Sequence, residues 1–396
     1  MRSGIARHIG DIATVQQGYT FKPGYQGQSS GEWMYVKVAD IGSPASSKYL
    51  RRSLNYVSSE VLSEMRATPF PAGSIVFPRV GAALRNNNKR ILVEDSLADD
   101  NVLVVTVRDK SVCDPEYLYY WFDFHDLQSF CNSGTVPVIN GRTLKLQEVH
   151  LPPIGVQRRI ASALSSWDTA IETTERLIAA KEAWASGIAK KLYRRKAHWH
   201  PRHLGSLLRE VKALHGDGTY VIGSVGKNGI KPRSEVYSKA LSDNHARNIL
   251  VRPGWLCFGL ASDAMAFGVN DTSQTYSVSP AYKTFQVVEA DPQFVEGYLR
   301  VFNTRLSKRY LITSARQGKA IDFDGLLNVE LHIPAIDEQR RIAESLAIMQ
   351  HEIDVSRALL DALKRQKRGL MQKLLTGEWR VPLPDSESTV KEAAPC

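Results

Sequence analysis

Loops in both halves of this sequence carry side chains suited to reading the edges of bases. Arginine can donate a bidentate pair to guanine, asparagine and glutamine exchange two hydrogen bonds with adenine, and lysine mostly holds phosphate. In the first half the candidates are Arg79, Asn86, Asn87, Asn88, Lys89 and Arg90, followed by the stretch from Asn132 to Arg142 with its Asn140 and Arg142. In the second half they are Lys227, Asn228, Lys231 and Arg233, then Ser262 beside Asp263, then Arg316, Gln317 and Lys319. Each of them alone is better explained as a solvated surface residue, so the expectation attaches to the loops more than to single side chains.

Other chemistry finds less support. His198, His200 and His203 have an HxHxxH spacing, with His215 further on, yet they stand in a proline-containing linker without cysteine or nearby carboxylates, and no metal site is expected. Asp95, Asp99 and Asp100 lack the Glu/Gln-x-Lys partner of a nuclease centre. There is no GxxxxGK[ST] phosphate loop and no GxGxxG, and Asp114-Pro115-Glu116-Tyr117 lacks the second proline of an amino-methyltransferase tetrad. Cys113, Cys131, Cys257 and Cys396 are isolated, which speaks against zinc and a disulfide framework and suits a reducing compartment. The chain is expected to bind and not to react.

The loops sit in a duplicated frame. Glu148 to Leu192 and Glu330 to Leu374 align without a gap, His150 pairing with His332 at an offset of 182 residues that holds throughout. The block Gln157-Arg158-Arg159-Ile160-Ala161 recurs as Gln339-Arg340-Arg341-Ile342-Ala343, and Gly187 recurs as Gly369. A fainter echo sets Arg7-His8-Ile9-Gly10 against Arg202-His203-Leu204-Gly205. Two tandem halves with two-fold pseudo-symmetry suit a molecule that reads two sites at once. The length of 396 residues with 43% hydrophobic residues is enough for two cores, and the net charge of +10 suits a polyanionic partner. The start MRSGIARHIG has no apolar core of signal-peptide length, and no stretch approaches the roughly 18 apolar residues of a membrane span, so a soluble, cytoplasmic protein is expected.

Each repeated segment reads as a long helix. In the first, Ile160, Leu164, Trp167, Ile171, Thr174, Ile178, Lys181, Ala185, Ile188 and Leu192 alternate by four and three; in the second, Ile342, Leu346, Met349, Ile353, Ser356, Leu360, Leu363, Lys367, Leu370 and Leu374 do so in the same phase. That is a coiled-coil seam. Thr174 matches Ser356 and Lys181 stands against Leu363, polar lapses of the kind that set register. Gly155 and Asp337 are the expected helix starts. Nearly 40 residues at 1.5 Å each make a spacer of roughly 55 to 60 Å. The two seams satisfy each other most simply as an antiparallel pair within one chain; separate burial against the domains, or a homodimer, are the alternatives. The repeated arginine pairs could contact DNA or pack on a domain, and Lys190 to Lys196 reads as a solvated basic end.

Short β-branched and aromatic runs punctuated by glycine and proline fill the remainder: Met34 to Val38, Ser74 to Phe77, Val102 to Val107, Tyr220 to Ile222, Trp255 to Phe258 and Thr284 to Val288. In each half such runs precede an Asp-Pro-led helix, Asp114 to Phe122 and Asp291 to Phe302. The fold class expected is α+β, with two pseudo-symmetric α/β domains separated by an antiparallel coiled coil. The boundaries are 1–150 for the first domain, 151–196 for the first helix, 197–332 for the second domain, 333–378 for the second helix and 379–396 for a flexible tail.

The pattern resembles the DNA-specificity subunit of Type I restriction-modification enzymes. The residues that carry the likeness are Leu151-Pro152-Pro153-Ile154 with Gln157 to Ala161, Ile333-Pro334-Ala335-Ile336 with Glu338 to Ala343, the exit Leu370-Met371-Gln372-Lys373-Leu374-Leu375-Thr376-Gly377, and Ser279-Pro280-Ala281-Tyr282. The first helix departs at Gly155-Val156, where the second has Asp337-Glu338, and at Tyr193-Arg194-Arg195, where the second has Leu375-Thr376-Gly377. The resemblance implies a non-catalytic subunit whose two target-recognition domains read a bipartite double-stranded DNA site, the helices acting as a ruler. It also implies two methyltransferase subunits and two restriction/translocase subunits as partners. S-adenosylmethionine, ATP and magnesium would belong to those partners and not to this chain, and the methylated base would be an adenine flipped into the partner's pocket. Two other readings compete: a stand-alone DNA-binding protein, and an enzyme with an unrecognised centre.

Overall fold

The structure, a computed structural model, describes residues 4–43, 48–132, 134, 136–216, 218–237, 247–313, 319–379 and 381. Its frame is carried by the helices α1 (Pro115–Phe124), α2 (Ile154–Leu192), α3 (Pro292–Tyr310) and α4 (Ile336–Leu375). The chain divides into two units, one of residues 1–176 with 358–396 and the other of residues 177–357. Each unit therefore takes a domain together with one part of each long helix, a division that cuts across the helix boundaries expected from sequence.

In the first unit a five-stranded sheet runs in the order Ala13–Gln17, Val102–Val107, Ile75–Pro78, Arg90–Leu92, Tyr49–Leu50, beside a three-stranded sheet of Tyr56–Val57, Trp33–Val36 and Ser96–Ala98. Val102–Val107 is apolar at nearly every position because both faces are covered. Leu103 and Val105 face a core with Phe77 and the α1 aromatics Tyr117, Tyr120 and Phe122, while Val102 and Val104 face a second core with Met34, Val36 and Val76. Asp114 caps α1, its Oδ1 accepting from the amides of Glu116 and Tyr117 at 3.0 Å each, with Pro115 at the first helical position, where a missing N–H costs nothing. Ile160, Ala161 and Leu164 of α2 and Met371, Leu374 and Leu375 of α4 enter the same core. The helix segments run antiparallel here, Lys364 reaching Glu175 and Lys367 reaching Asp168.

In the second unit the sheets are Leu208–Val211, Lys283–Val287, Trp255–Phe258, Phe267–Val269, and Gly229–Pro232, Val221–Gly226, Tyr276–Val278, Ile249–Val251, in those orders. Phe294, Val295 and Leu299 of α3 pack on Phe258, Phe267 and Phe285. Asp291 caps α3 as Asp114 caps α1. The helix segments again run antiparallel, with Lys181 at 3.0 Å from Glu352 and Lys196, just past the end of α2, at 2.7 Å from Glu338. Every seam position of both helices is buried or half-buried, Thr174 and Ser356 among the buried ones. Their hydroxyls donate to Ala170 O and Glu352 O of their own helices, so both polar lapses are satisfied within the helix.

The faint N-terminal echo has a structural reason. Ile5–His8 pairs antiparallel with Glu148–Leu151, and His200–His203 pairs with Glu330–Ile333, His8 opposite Glu148 and His203 opposite Glu330. His8 Nδ1 lies 3.0 Å from Leu146 O and His203 Nδ1 lies 3.1 Å from Asn328 O. A Cβ at Gly10 would stand 3.1 Å from Lys145, and one at Gly205 would stand 3.1 Å from Leu327 O, so a side chain at either position would press its neighbour back by a few tenths of an ångström.

Three readings need correction. The long helices start one residue earlier than expected, at Ile154 and Ile336, the carbonyls of Pro153 and Ala335 accepting the first helical amides. The strand expected through Val38 ends at Val36, and Val38–Gly42 is a helical turn held by Asp40, whose Oδ2 accepts from Lys37 N. The repeated Gln-Arg-Arg block divides in function. Gln157 and Gln339 are 1% and 2% exposed. Gln157 accepts from Asp114 N at 2.9 Å and donates to Pro152 O at 2.8 Å, and Gln339 does the same with Asp291 N and Pro334 O at the same distances. Arg158, Arg340 and Arg341 are exposed. Each glutamine thus ties the start of a long helix to the cap of an Asp-Pro helix. Gln339→Ala strands a buried amide and a carbonyl and is expected to cost about 2 kcal/mol; urea denaturation measures it, and a loss within error of zero would contradict the tie.

Of the expected tail, residues 380 and 382–396 lie outside the described residues. Trp379 N donates to Lys373 O at 3.0 Å, and Val381 packs against the first core.

Candidate nucleic-acid interface

In the first unit four loops meet at one end of the five-stranded sheet. Arg79 N donates to Asn101 O at 2.8 Å, Ile139 N donates to Arg79 O at 2.9 Å and Gly81 N donates to Pro137 O at 3.0 Å, which joins the segments after Ile75–Pro78, before Val102–Val107 and around 136–142. Arg79 Nη1 donates to Gln17 Oε1 at 2.8 Å, adding the end of Ala13–Gln17. The Arg79 Nε is buried without a hydrogen-bond partner among the described residues. Asn140 Oδ1 caps the helical turn Gly141–Lys145 through Arg142 N, leaving the Arg142 side chain exposed. Asn86 is exposed at the end of the turn Ala82–Asn86 and Asn88 is half-buried.

Sequence reasoning missed Gln17, Thr20 and Asn101 in this cluster. Thr20 Oγ1 donates to Asp100 Oδ2 at 3.1 Å, and Asn101 Nδ2 donates to Asp99 Oδ1 and Asp100 Oδ1. The signal was present as Asp99-Asp100-Asn101 between two strands, a turn whose Asp100 carboxylate braces the neighbouring loop at Thr20.

Lys89, Asn87 and Arg90 depart from the expectation. Lys89 is 1% exposed, its Nζ donating to Asn87 Oδ1 and His125 O at 2.8 Å. Asn87 also accepts from Leu127 N, so its side chain is committed to the fold. Arg90 is half-buried and donates to Lys89 O. A cation in a polar loop looks alike in sequence whether it points outward or closes the loop from inside. Burial pushes the Lys89 ammonium down to about 8 from 10.5, against the pull of Asp123 and Asp126. Between those two values the unfolded chain holds a proton that the folded chain gives up. Relative to Lys89→Met, the protein is therefore expected to gain stability as pH rises from 8 to 10.5, by up to about 3 kcal/mol. Denaturation at both ends of the window checks this, and parallel pH profiles for the two proteins would contradict it.

In the second unit Lys227 and Asn228 form the tight turn between Val221–Gly226 and Gly229–Pro232, with Gly229 at φ +92° and Arg300 Nη1 donating to Lys227 O at 2.9 Å. Both are exposed, as is Lys231. Arg233 is half-buried over the Tyr237 ring, 4.4 Å from its centroid. Ala261 bridges to Lys319, which places exposed Ser262 and Asp263 beside exposed Lys319. This loop is held from α3, Asn303 donating to Met265 O and Ser307 accepting from Met265 N. Side chains at Gly259 and Gly268 would run into Val225 and Gly229, so the turn and the loop are neighbours. Arg316 and Gln317 lie outside the described residues.

The linker histidines go separate ways: His198 to Glu338 at 2.9 Å, His203 to Asn328 O, and His215 to Ser277. Among the described residues no group of three or more His, Cys, Asp or Glu is placed to hold a metal ion. No helix among them is long and apolar enough to cross a membrane.

Residues 6–182 match the family model described as the Type I restriction modification DNA specificity domain. The chain is 23% identical over 319 residues to the type I restriction enzyme MjaVIII specificity subunit of Methanocaldococcus jannaschii, covering 71% of this chain and 74% of the relative. It is also 23% identical over 283 residues to a second specificity subunit of that organism, MjaX, covering 61% and 62%. The fold is similar to the crystal structure of a Type I restriction-modification S subunit from M. genitalium, with a TM-score of 0.56 at 13% identity, covering 94% of this chain and 96% of that one. It is equally similar, at 15% identity, to a chain solved in work on complex assembly and conformational transition of the type I R-M system, covering 96% and 99%. The first half of the chain thus carries a DNA-specificity domain, and its frame is repeated in the second half. Over most of its length the chain is thus similar to specificity subunits of Type I restriction-modification enzymes.

Proposed function

We propose that the chain reads a bipartite, asymmetric site in double-stranded DNA, one half through each domain, and that the long-helix pair sets the number of unread base pairs between the halves. One observation carries this reading: the frame is repeated, from the His8 and His203 ladders to the Gln157 and Gln339 ties, while the loops it carries are not alike. A common frame under different loops suits two different half-sites. The residues proposed to face DNA are Arg79, Asn86, Asn88, Asn140 and Arg142 with Gln17 and Asn101 in the first domain. In the second they are Lys227, Asn228, Lys231, Arg233, Ser262 and Lys319, with Arg316 and Gln317 kept from sequence.

The partners proposed are two methyltransferase subunits docked on the helices and two restriction/translocase subunits beyond them, with S-adenosylmethionine, ATP and magnesium held by those subunits. Large apolar side chains on the outer faces of the helices support docking: Trp184 of α2 is 61% exposed and Ile348 of α4 is 59% exposed. Replacing residues 1–150 by the corresponding domain of a relative with a different site is expected to change one half-site and leave the other. A change in both halves would overturn the assignment of one domain to one half.

A further inference from the structure

The two long helices are near-copies, yet the junctions each makes with its domain are built from different chemistry. In the first unit a chain of charged and hydroxyl groups runs from the domain into both helices. Lys48 Nζ lies 2.9 Å from Glu116 Oε2 and donates to Tyr120 OH at 2.9 Å. Tyr120 OH donates to Asp168 Oδ2 of α2 at 2.5 Å. Lys367 of α4 closes the chain, 2.6 Å from Asp168 and 2.9 Å from Asp123 of α1. Tyr49 OH donates to Glu116. Burial works against the Lys367 ammonium, but Asp123 and Asp168 outweigh it and hold its pKa above the usual value.

In the second unit the junction is steric. Tyr193, at the end of α2, is 3% exposed and lies against α3, its hydroxyl donating to Phe294 O at 2.9 Å. A Cβ built on Gly297 would overlap that hydroxyl, so α3 carries glycine where the tyrosine enters.

The shared caps Asp114 and Asp291 set Tyr120 against Gly297 and Asp123 against Arg300. The helix repeat sets Asp168 against Gln350, Lys367 against Ala185 and Leu375 against Tyr193. None of the five positions is shared. Seated on the first domain, the end of α2 would leave Asp123 and Asp168 without a cation and bring Tyr193 toward Tyr120 in place of a glycine. Seated on the second, the end of α4 would set Lys367 opposite Arg300 and leave the space over Gly297 to the shorter Leu375. We propose that these junctions are a pairing key, which admits the end of α4 to the first domain and the end of α2 to the second and rejects the exchange. Repulsion and misfit against the wrong partner are how near-identical elements are kept apart. The key concerns the frame alone and is independent of what the loops bind.

Hydrogen–deuterium exchange and denaturation of the full chain test it. Lys367→Met is expected to lower the folding constant on the order of a hundredfold, because it strands two half-buried carboxylates, and to cost less than about tenfold when Asp123 and Asp168 are already asparagine. Lys367→Gln gives the same comparison if the methionine variant does not fold. Gly297→Ala, ordinarily favourable in a helix, is expected to speed exchange across 292–310 and to lose that effect in a Tyr193→Leu background. The graft K367A/L375Y, which gives α4 the end of α2, is expected to speed exchange across 115–124 by about tenfold or more. Equal costs of Lys367→Met in both backgrounds, equal effects of Gly297→Ala with Tyr193 or leucine, or a graft that exchanges at the wild-type rate would each overturn the key.

Discussion

Deleting one heptad from each long helix, residues 174–180 and 357–363, is expected to move recognition to a site whose spacer is about three base pairs shorter. Seven residues amount to about 10 Å of helix, and the duplex rises 3.4 Å per base pair. The deletions lie between two cross-helix ion pairs, Lys364 with Glu175 in the first unit and Lys181 with Glu352 in the second. Removing a full heptad from both keeps the phase of the seam, so the remaining core positions still meet. Affinity for the original site should fall on the order of a thousandfold, toward the level of non-specific binding. A four-residue deletion serves as control, since it rotates the apolar stripe off its partner. Competition binding with sites of graded spacing, in the presence of the methyltransferase partner, reads the result; an unchanged spacer in the heptad variant would contradict the ruler.

The second large effect concerns stability. Leu164 and Leu346 are the same residue at the same position of the duplicated helices, yet Leu164 is 0% exposed and Leu346 is only half-buried. The difference lies in their surroundings, since Leu164 belongs to a core that includes Tyr117, Tyr120 and Phe122 of α1 with Met371 and Leu374 of α4. Leu164→Ala should cost about 4 kcal/mol, from lost burial and a cavity in a core with little room to collapse. Leu346→Ala should cost about 1 kcal/mol, because part of that side chain is already in water. Denaturation of the two variants compares them directly, and equal costs would mean that the two helix environments are interchangeable.

That pair also shows what was legible in the sequence. The heptad phase found both leucines, and the Asp-Pro dipeptides placed the caps of α1 and α3, because these signals are set by residues a few positions apart. Burial of Leu164 depends on aromatic residues some 45 positions away, which no local pattern carries. Lys89 misled for the same reason: its acceptors, Asn87 and His125, convert an apparent surface cation into an interior brace. The Gln-Arg-Arg block stood out as repeated, but the tie made by its glutamine, whose amide spans two elements, depends on residues over 40 positions away that no local pattern carries. Gln17 and Asn101 were missed because the sheet brings the end of one strand beside the start of another roughly 85 residues on.

The most direct measurement is a map of methylated adenines in a host that lacks adenine methylation, made by single-molecule sequencing after co-expression of this chain with its methyltransferase partner. The account predicts a split, asymmetric motif with one fixed gap. A continuous motif would contradict two domains reading two half-sites.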